Sequence, residues 1–130
     1  MSSAALGYLL IALGGGAGAL CRYAAGVVVA TNSALLFPWA TLAVNIAGAW
    51  AIGLVWGVAG GSPWFESWGR ALIVTGFLGG FTTFSAFSYE TLQMMQSGRV
   101  ITAATYVLVS VVLCVLAVWL GHLAAALIAR

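Results

Sequence analysis

Long apolar runs broken by short polar punctuation dominate this chain. Four of them reach the roughly 20 residues that a helix needs to cross the hydrocarbon core of a bilayer: about 4–30, 37–60, 69–96 and 100–128. None alternates apolar and polar faces at helical period, so these helices meet lipid or other helices on every side. The connections are short. Thr31-Asn32-Ser33 makes the first, followed by Pro38 where proline is tolerated in an opening helical turn. Gly60-Gly61-Ser62-Pro63 makes the second and Ser97-Gly98-Arg99 the third. The pattern therefore predicts an all-α integral membrane protein of one four-helix domain covering 1–130, with no room for an extramembrane domain.

Composition agrees. Of 130 residues, 64% are hydrophobic and 5% charged, against about a quarter charged in an average globular domain. The charged side chains are Arg22, Arg70, Arg99, Arg130, Glu66 and Glu90, with no lysine, so the net charge of +2 carries no message about nucleic acid. Gly14-Gly15-Gly16-Ala17-Gly18 is not a phosphate loop, because no strand precedes it and the lysine of that motif is missing; ATP-driven pumping within the chain is excluded. Gly18-Ala19-Leu20-Cys21 imitates the end of a secretory signal but lacks a positive n-region, and the first segment reads as a retained span. Cys21 and Cys114 fall inside apolar runs and read as small buried hydrophobes. Trp39, Trp64, Trp68 and Trp119 stand near the predicted helix ends, where an aromatic belt is expected.

The distribution of arginine bears on assembly. With four spans, Arg70 and Arg130 fall on one side of the membrane, and Arg99 with Arg22 near a helix end on the other. That tie leaves the positive-inside rule without a preference. Insertion in both orientations, and pairing of two copies about an axis in the membrane plane, is one outcome; a single orientation set by other factors is the other. Glycines four apart (Gly14 and Gly18, Gly53 and Gly57, Gly76 and Gly80) allow close helix packing. Four helices make a thin wall for a conduction path, which points to at least a dimer.

Polar residues inside spans cost free energy and are functional candidates by default. Asn45, with Thr41 and Gly48 nearby, offers an amide that can hold an anion, bridge water or bond to another helix. The segment 76–88 joins paired glycine to paired threonine, which is poor helix sequence. A break is expected there, exposing carbonyls to a cation and N–H groups to an anion. Phe84 and Phe87 share a face; they can be ordinary packing, or present the positive edges of their rings to a small anion. Tyr106, Ser110 and Cys114 line one face of the last span at steps of four, as donors or as packing. Glu90 can guard a vestibule, pair with an arginine or bind a substrate cation. His122 reads as interfacial.

These blocks resemble the Fluc or CrcB family of fluoride channels. Gly14 to Ala19 leading to Arg22-Tyr23, Thr41 to Gly48, and above all Gly76 to Phe87 carry the likeness in order along the whole chain. The resemblance implies a passive fluoride channel rather than an enzyme, in the bacterial inner (plasma) membrane, exporting fluoride from the cytoplasm to relieve toxicity. It implies an antiparallel dual-topology homodimer with a structural sodium ion, not transported, on the main-chain carbonyls of Gly79 and Thr82. By motif position Asn45 is the pore-lining amide, Phe84 and Phe87 the pore phenylalanines, Thr83 and Ser85 nearby hydroxyls, and Tyr106 and Ser110 the start of a polar track. Cys114 stands where relatives continue that track with a hydroxyl. Arg22 and Glu90 are vestibule or structural charges. The partners implied are fluoride, sodium, lipid and a second copy, without nucleic acid. The rivals are a small proton-coupled exporter of organic cations using Glu90, and a purely structural helical subunit.

Overall fold

A computed structural model describes residues 2–32 and 37–128. In chain order they form α1 (Ser3–Asn32), α2 (Trp39–Ala59), a π-helical segment (Phe65–Leu78), a single turn α3 (Gly79–Phe81), α4 (Phe84–Gln96) and α5 (Val100–Ile128). Among the described residues there is no strand. Four stretches are long and apolar enough to cross a membrane: Ser3–Val29, Trp39–Ala59, Phe65–Gln96 and Val100–Ile128. The protein is a multi-pass, all-helical membrane chain.

Most boundaries fall within two residues of those expected. The third span is the exception: it begins at Phe65 rather than near 69. Hydropathy starts late there because Glu66, Ser67 and Arg70 occupy the first turns. These side chains are exposed, and Glu66 lies 3.6 Å from Arg70 across one helical turn, so helix continues past the apolar boundary. In the first connection, Thr31 and Asn32 stay helical, while Ser33 lies outside the described residues, as does Arg130. The third connection behaves as its glycine suggests. Gly98 has φ +76°, and the N–H groups of Gly98 and Arg99 donate back to the carbonyls of Met95 (3.0 Å) and Met94 (2.9 Å), a left-handed helix ending.

Lipid tails are as apolar as leucine, so close backbone packing rather than the hydrophobic effect joins membrane helices. The glycine pairs supply it in two places. A Cβ on Gly14 would overlap the Leu72 carbonyl oxygen, one on Gly18 that of Phe77, and one on Gly80 that of Gly15, which seats α1 on the π-helical segment and α3. A Cβ on Gly53 would overlap the Val118 carbonyl oxygen and one on Gly121 that of Trp50, which seats α2 on α5. Between α2, α4 and α5 lies a small core of Leu42, Phe87, Met94, Ala103 and Tyr106, with Phe37, Ile46 and Val109 against it.

Two expectations change. Cys21 is exposed, not buried, because α1 packs through its glycine face and the thiol stands off it; Cys114 is half-buried. Trp39 opens α2, and Trp64 and Trp68 stand exposed around the start of the π-helical segment, but Trp119 is nine residues inside the end of α5.

Candidate functional site

The site is organised by two residues that do not continue the helix. Thr82 (φ −82°, ψ 159°) and Thr83 (φ −151°, ψ 115°) are extended, between α3 and α4. Glycine before them and β-branched side chains at both positions weaken any helical preference. Other groups take over the backbone bonding. The Thr83 N–H donates to Asn45 Oδ1 (2.8 Å), and Asn45 Nδ2 donates to the Thr83 carbonyl (3.0 Å). One side-chain amide thus pairs both ways with one main-chain unit, as a neighbouring strand would. The Thr83 hydroxyl caps α4 by accepting from Ala86 N–H (3.1 Å). Arg22 Nε donates to the Gly80 carbonyl (3.0 Å), placing a cation at the carboxyl end of α3.

These substitutions release particular carbonyls. In a continuous helix the Gly79 carbonyl would receive the Thr83 N–H and the Thr82 carbonyl the Ala86 N–H. Both donors are directed elsewhere, to Asn45 and to the Thr83 hydroxyl. Thr82 turns its own hydroxyl back to the Leu78 carbonyl (2.9 Å). The oxygens released here are main-chain carbonyls, those of Gly79 and Thr82. Carbonyl oxygens suit hard cations.

Beside the extended pair is a cavity of about 470 Å³ whose walls include Asn45, Thr83, Phe84, Phe87, Ser110 and Cys114. Gly79 and Thr82 border it too. The Phe84 and Phe87 rings are 5.3 Å apart and inclined at 44°; Phe87 is buried, whereas Phe84 is 78% exposed on the outside of the chain. The Ser110 hydroxyl is buried and has no hydrogen-bond partner. An unpaired buried hydroxyl costs roughly 1–3 kcal/mol. Ser85 is exposed, its Oγ 3.3 Å from Thr83 Oγ1. The side chains around this cavity thus include neutral amide, hydroxyl and thiol groups and two phenyl rings.

Tyr106 does not share the cavity with Ser110 and Cys114. It is fully buried, and its hydroxyl donates to Glu90 Oε2 (2.8 Å), while Thr41 donates to Glu90 Oε1 (2.6 Å). Glu90 is therefore a node tying α2, α4 and α5 together through two hydroxyls. Phe37 was not singled out in the sequence, yet its ring meets Tyr106 edge-on at 5.3 Å, opposite Phe87 at 5.1 Å. Its signal was an aromatic residue directly before the helix-opening Pro38. His122 is exposed on α5.

Comparison with known proteins accords with these motifs. The family described as CrcB-like protein, Camphor Resistance (CrcB), matches residues 9–122. A fluoride-specific ion channel FluC of Paramagnetospirillum magneticum is 47% identical over 127 residues, covering 96% of this chain and 99% of its own length. Proteins of the same name from Opitutus terrae and Geobacter sulfurreducens are 45% and 44% identical, over 91% and 90% of this chain and 91% and 94% of theirs. With the profile spanning four helices and relatives aligned almost end to end, this chain belongs to the CrcB family.

Proposed function

We propose that this protein is a passive, fluoride-selective channel that lets the anion leave the cytoplasm of a bacterial cell across its inner membrane and so relieves fluoride toxicity. The observation that carries this reading is the cavity bordered by Asn45, Phe84, Phe87 and Ser110, with the Ser110 hydroxyl buried and unpartnered in its wall. Fluoride is small and strongly hydrated, and a path for it must replace lost water with hydrogen-bond donors. Neutral donors and ring edges do this without the trap that a fixed lysine would create. In this reading Asn45, Thr83, Ser85 and Ser110 offer donors, Phe84 and Phe87 offer ring edges, and Tyr106 lies alongside, its hydroxyl held by Glu90. The printed name shared by the three relatives, fluoride-specific ion channel, supports the choice of anion.

The same reading includes an antiparallel homodimer of oppositely inserted copies. The exposed Phe84 and the balanced arginines support it. A structural sodium ion, not transported, belongs where the copies meet, on the carbonyls of Gly79 and Thr82. These oxygens fit the ion because their helical N–H donors are engaged elsewhere. When bound, sodium supplies a fixed positive charge and a cross-link between the two copies. Arg22 and Glu90 act as structural charges, Arg22 on the Gly80 carbonyl and Glu90 on two hydroxyls. Exchange of organic cations at Glu90 has less support, since both carboxylate oxygens already accept hydrogen bonds. The test is efflux from liposomes loaded with fluoride or chloride, with a potassium ionophore to carry the balancing charge. Fluoride release with little chloride release is expected; equal release of both, or none, overturns the reading.

A further inference from the structure

The amide of Asn45 has its oxygen and one of its hydrogens committed to Thr83, which a group serving only to line a path would not need. The pairing is reciprocal, at 2.8 and 3.0 Å, and links positions 38 residues apart on different helices. Its geometric effect is specific. The Thr83 N–H that Asn45 Oδ1 takes is the one a continuous helix would return to the Gly79 carbonyl, and an extended Thr83 puts its own hydroxyl where it captures the Ala86 N–H from the Thr82 carbonyl. Both released carbonyls follow from one clamp. Gly48, one turn along α2 from Asn45, reinforces it: a Cβ there would collide with Thr82 Cγ2, so α2 and the extended pair are in direct contact.

We infer that Asn45 is a positioning residue for the cation site: by pairing both ways with the Thr83 main chain it keeps Thr82 and Thr83 extended and the Gly79 and Thr82 carbonyls available to a hard cation. This rests on the sodium reading given above. It also joins the two ions through one residue, because the remaining amide hydrogen of Asn45 belongs to a side chain that borders the cavity. Losing the clamp leaves the Thr83 N–H without its acceptor and lets the extended pair relax, which displaces the carbonyl ligands of the cation and the wall of the anion path together.

The experiment uses the purified full-length protein in detergent. Thermal unfolding is followed against sodium concentration, with an organic cation holding ionic strength constant, and amide exchange is measured over residues 79–88. In the native protein sodium raises the unfolding temperature. In Asn45→Ala the sodium midpoint rises roughly 10- to 100-fold, the range found when outer-shell partners of metal ligands are removed, and the Thr83 amide exchanges faster. An unchanged midpoint in Asn45→Ala, with a normal native response, overturns the positioning role and leaves the sodium reading standing. A native protein indifferent to sodium overturns both. Should Asn45→Ala not fold, the native exchange profile decides: a protected Thr83 amide outside regular helix supports the clamp, and exchange at the rate of open chain overturns it.

Discussion

Removing one hydroxyl from the Glu90 node isolates the strength of a buried polar contact between membrane helices. Tyr106→Phe keeps the ring, and with it the contacts to Phe37 and Phe87 at 5.3 and 5.1 Å, and deletes only the donor 2.8 Å from Glu90 Oε2. Tyr106 is 0% exposed, so water does not enter to replace it. A hydrogen bond to a charged group in a soluble protein is worth about 1.5–3 kcal/mol. Bonds between membrane helices measure less, about 0.6 kcal/mol on average and up to about 1.7, because the unfolded chain also finds partners in the membrane. A short bond to a carboxylate whose second oxygen already has a donor at 2.6 Å belongs at the upper end, and the expected loss is about 1.5 kcal/mol. Thr41→Val removes the other donor and should cost a similar amount. The assay is equilibrium unfolding in mixed detergent micelles, run as a double-mutant cycle. Because both hydroxyls serve one carboxylate, the double variant is expected to depart from additivity by at least about 0.5 kcal/mol. A Tyr106→Phe loss below about 0.3 kcal/mol, or strict additivity, refutes the claim that this node joins α2, α4 and α5.

Two further outcomes separate packing from conduction. Gly18→Ala places a methyl onto the Phe77 carbonyl, 2.8 Å from Phe81 N; backbone cannot yield there, and unfolding measurements should show a loss of roughly 1–3 kcal/mol, whereas Gly7→Ala, which meets nothing within 4 Å, should be neutral or gain up to about 1 kcal/mol from helix propensity. Ser110→Ala deletes a buried hydroxyl that has no protein partner, so stability should hold or rise slightly in the same assay while fluoride efflux falls about tenfold, the equivalent of one lost hydrogen bond of roughly 1.4 kcal/mol in transit.

The four spans were legible in the sequence because transfer into lipid is close to a sum over residues, and a window of about 20 of them senses it without knowing the fold. The close-packing glycines were legible for the same local reason: Gly14 with Gly18, and Gly53 with Gly57, lie one turn apart on one face. The weak helical preference around Thr82 and Thr83 was visible in residue type alone. What a glycine face would meet, and which side of α1 would leave Cys21 exposed, was not.

Partnership was decided in three dimensions. Asn45 announced itself as a costly polar group, but its partner is a main-chain unit on another span, and every residue has a main chain, so sequence carries no mark of that choice. Glu90 left three alternatives open, and two hydroxyls from different helices took it. The stripe of Tyr106, Ser110 and Cys114 read as one face, yet each step of four advances an α-helix by about 40° beyond a full turn. Over two steps that drift is enough to turn Tyr106 toward α4 and Cys114 toward the cavity. Hydropathy and turn chemistry are properties of a segment and survive in the sequence; hydrogen-bond pairing is a property of two segments, and only packing the helices together settles it.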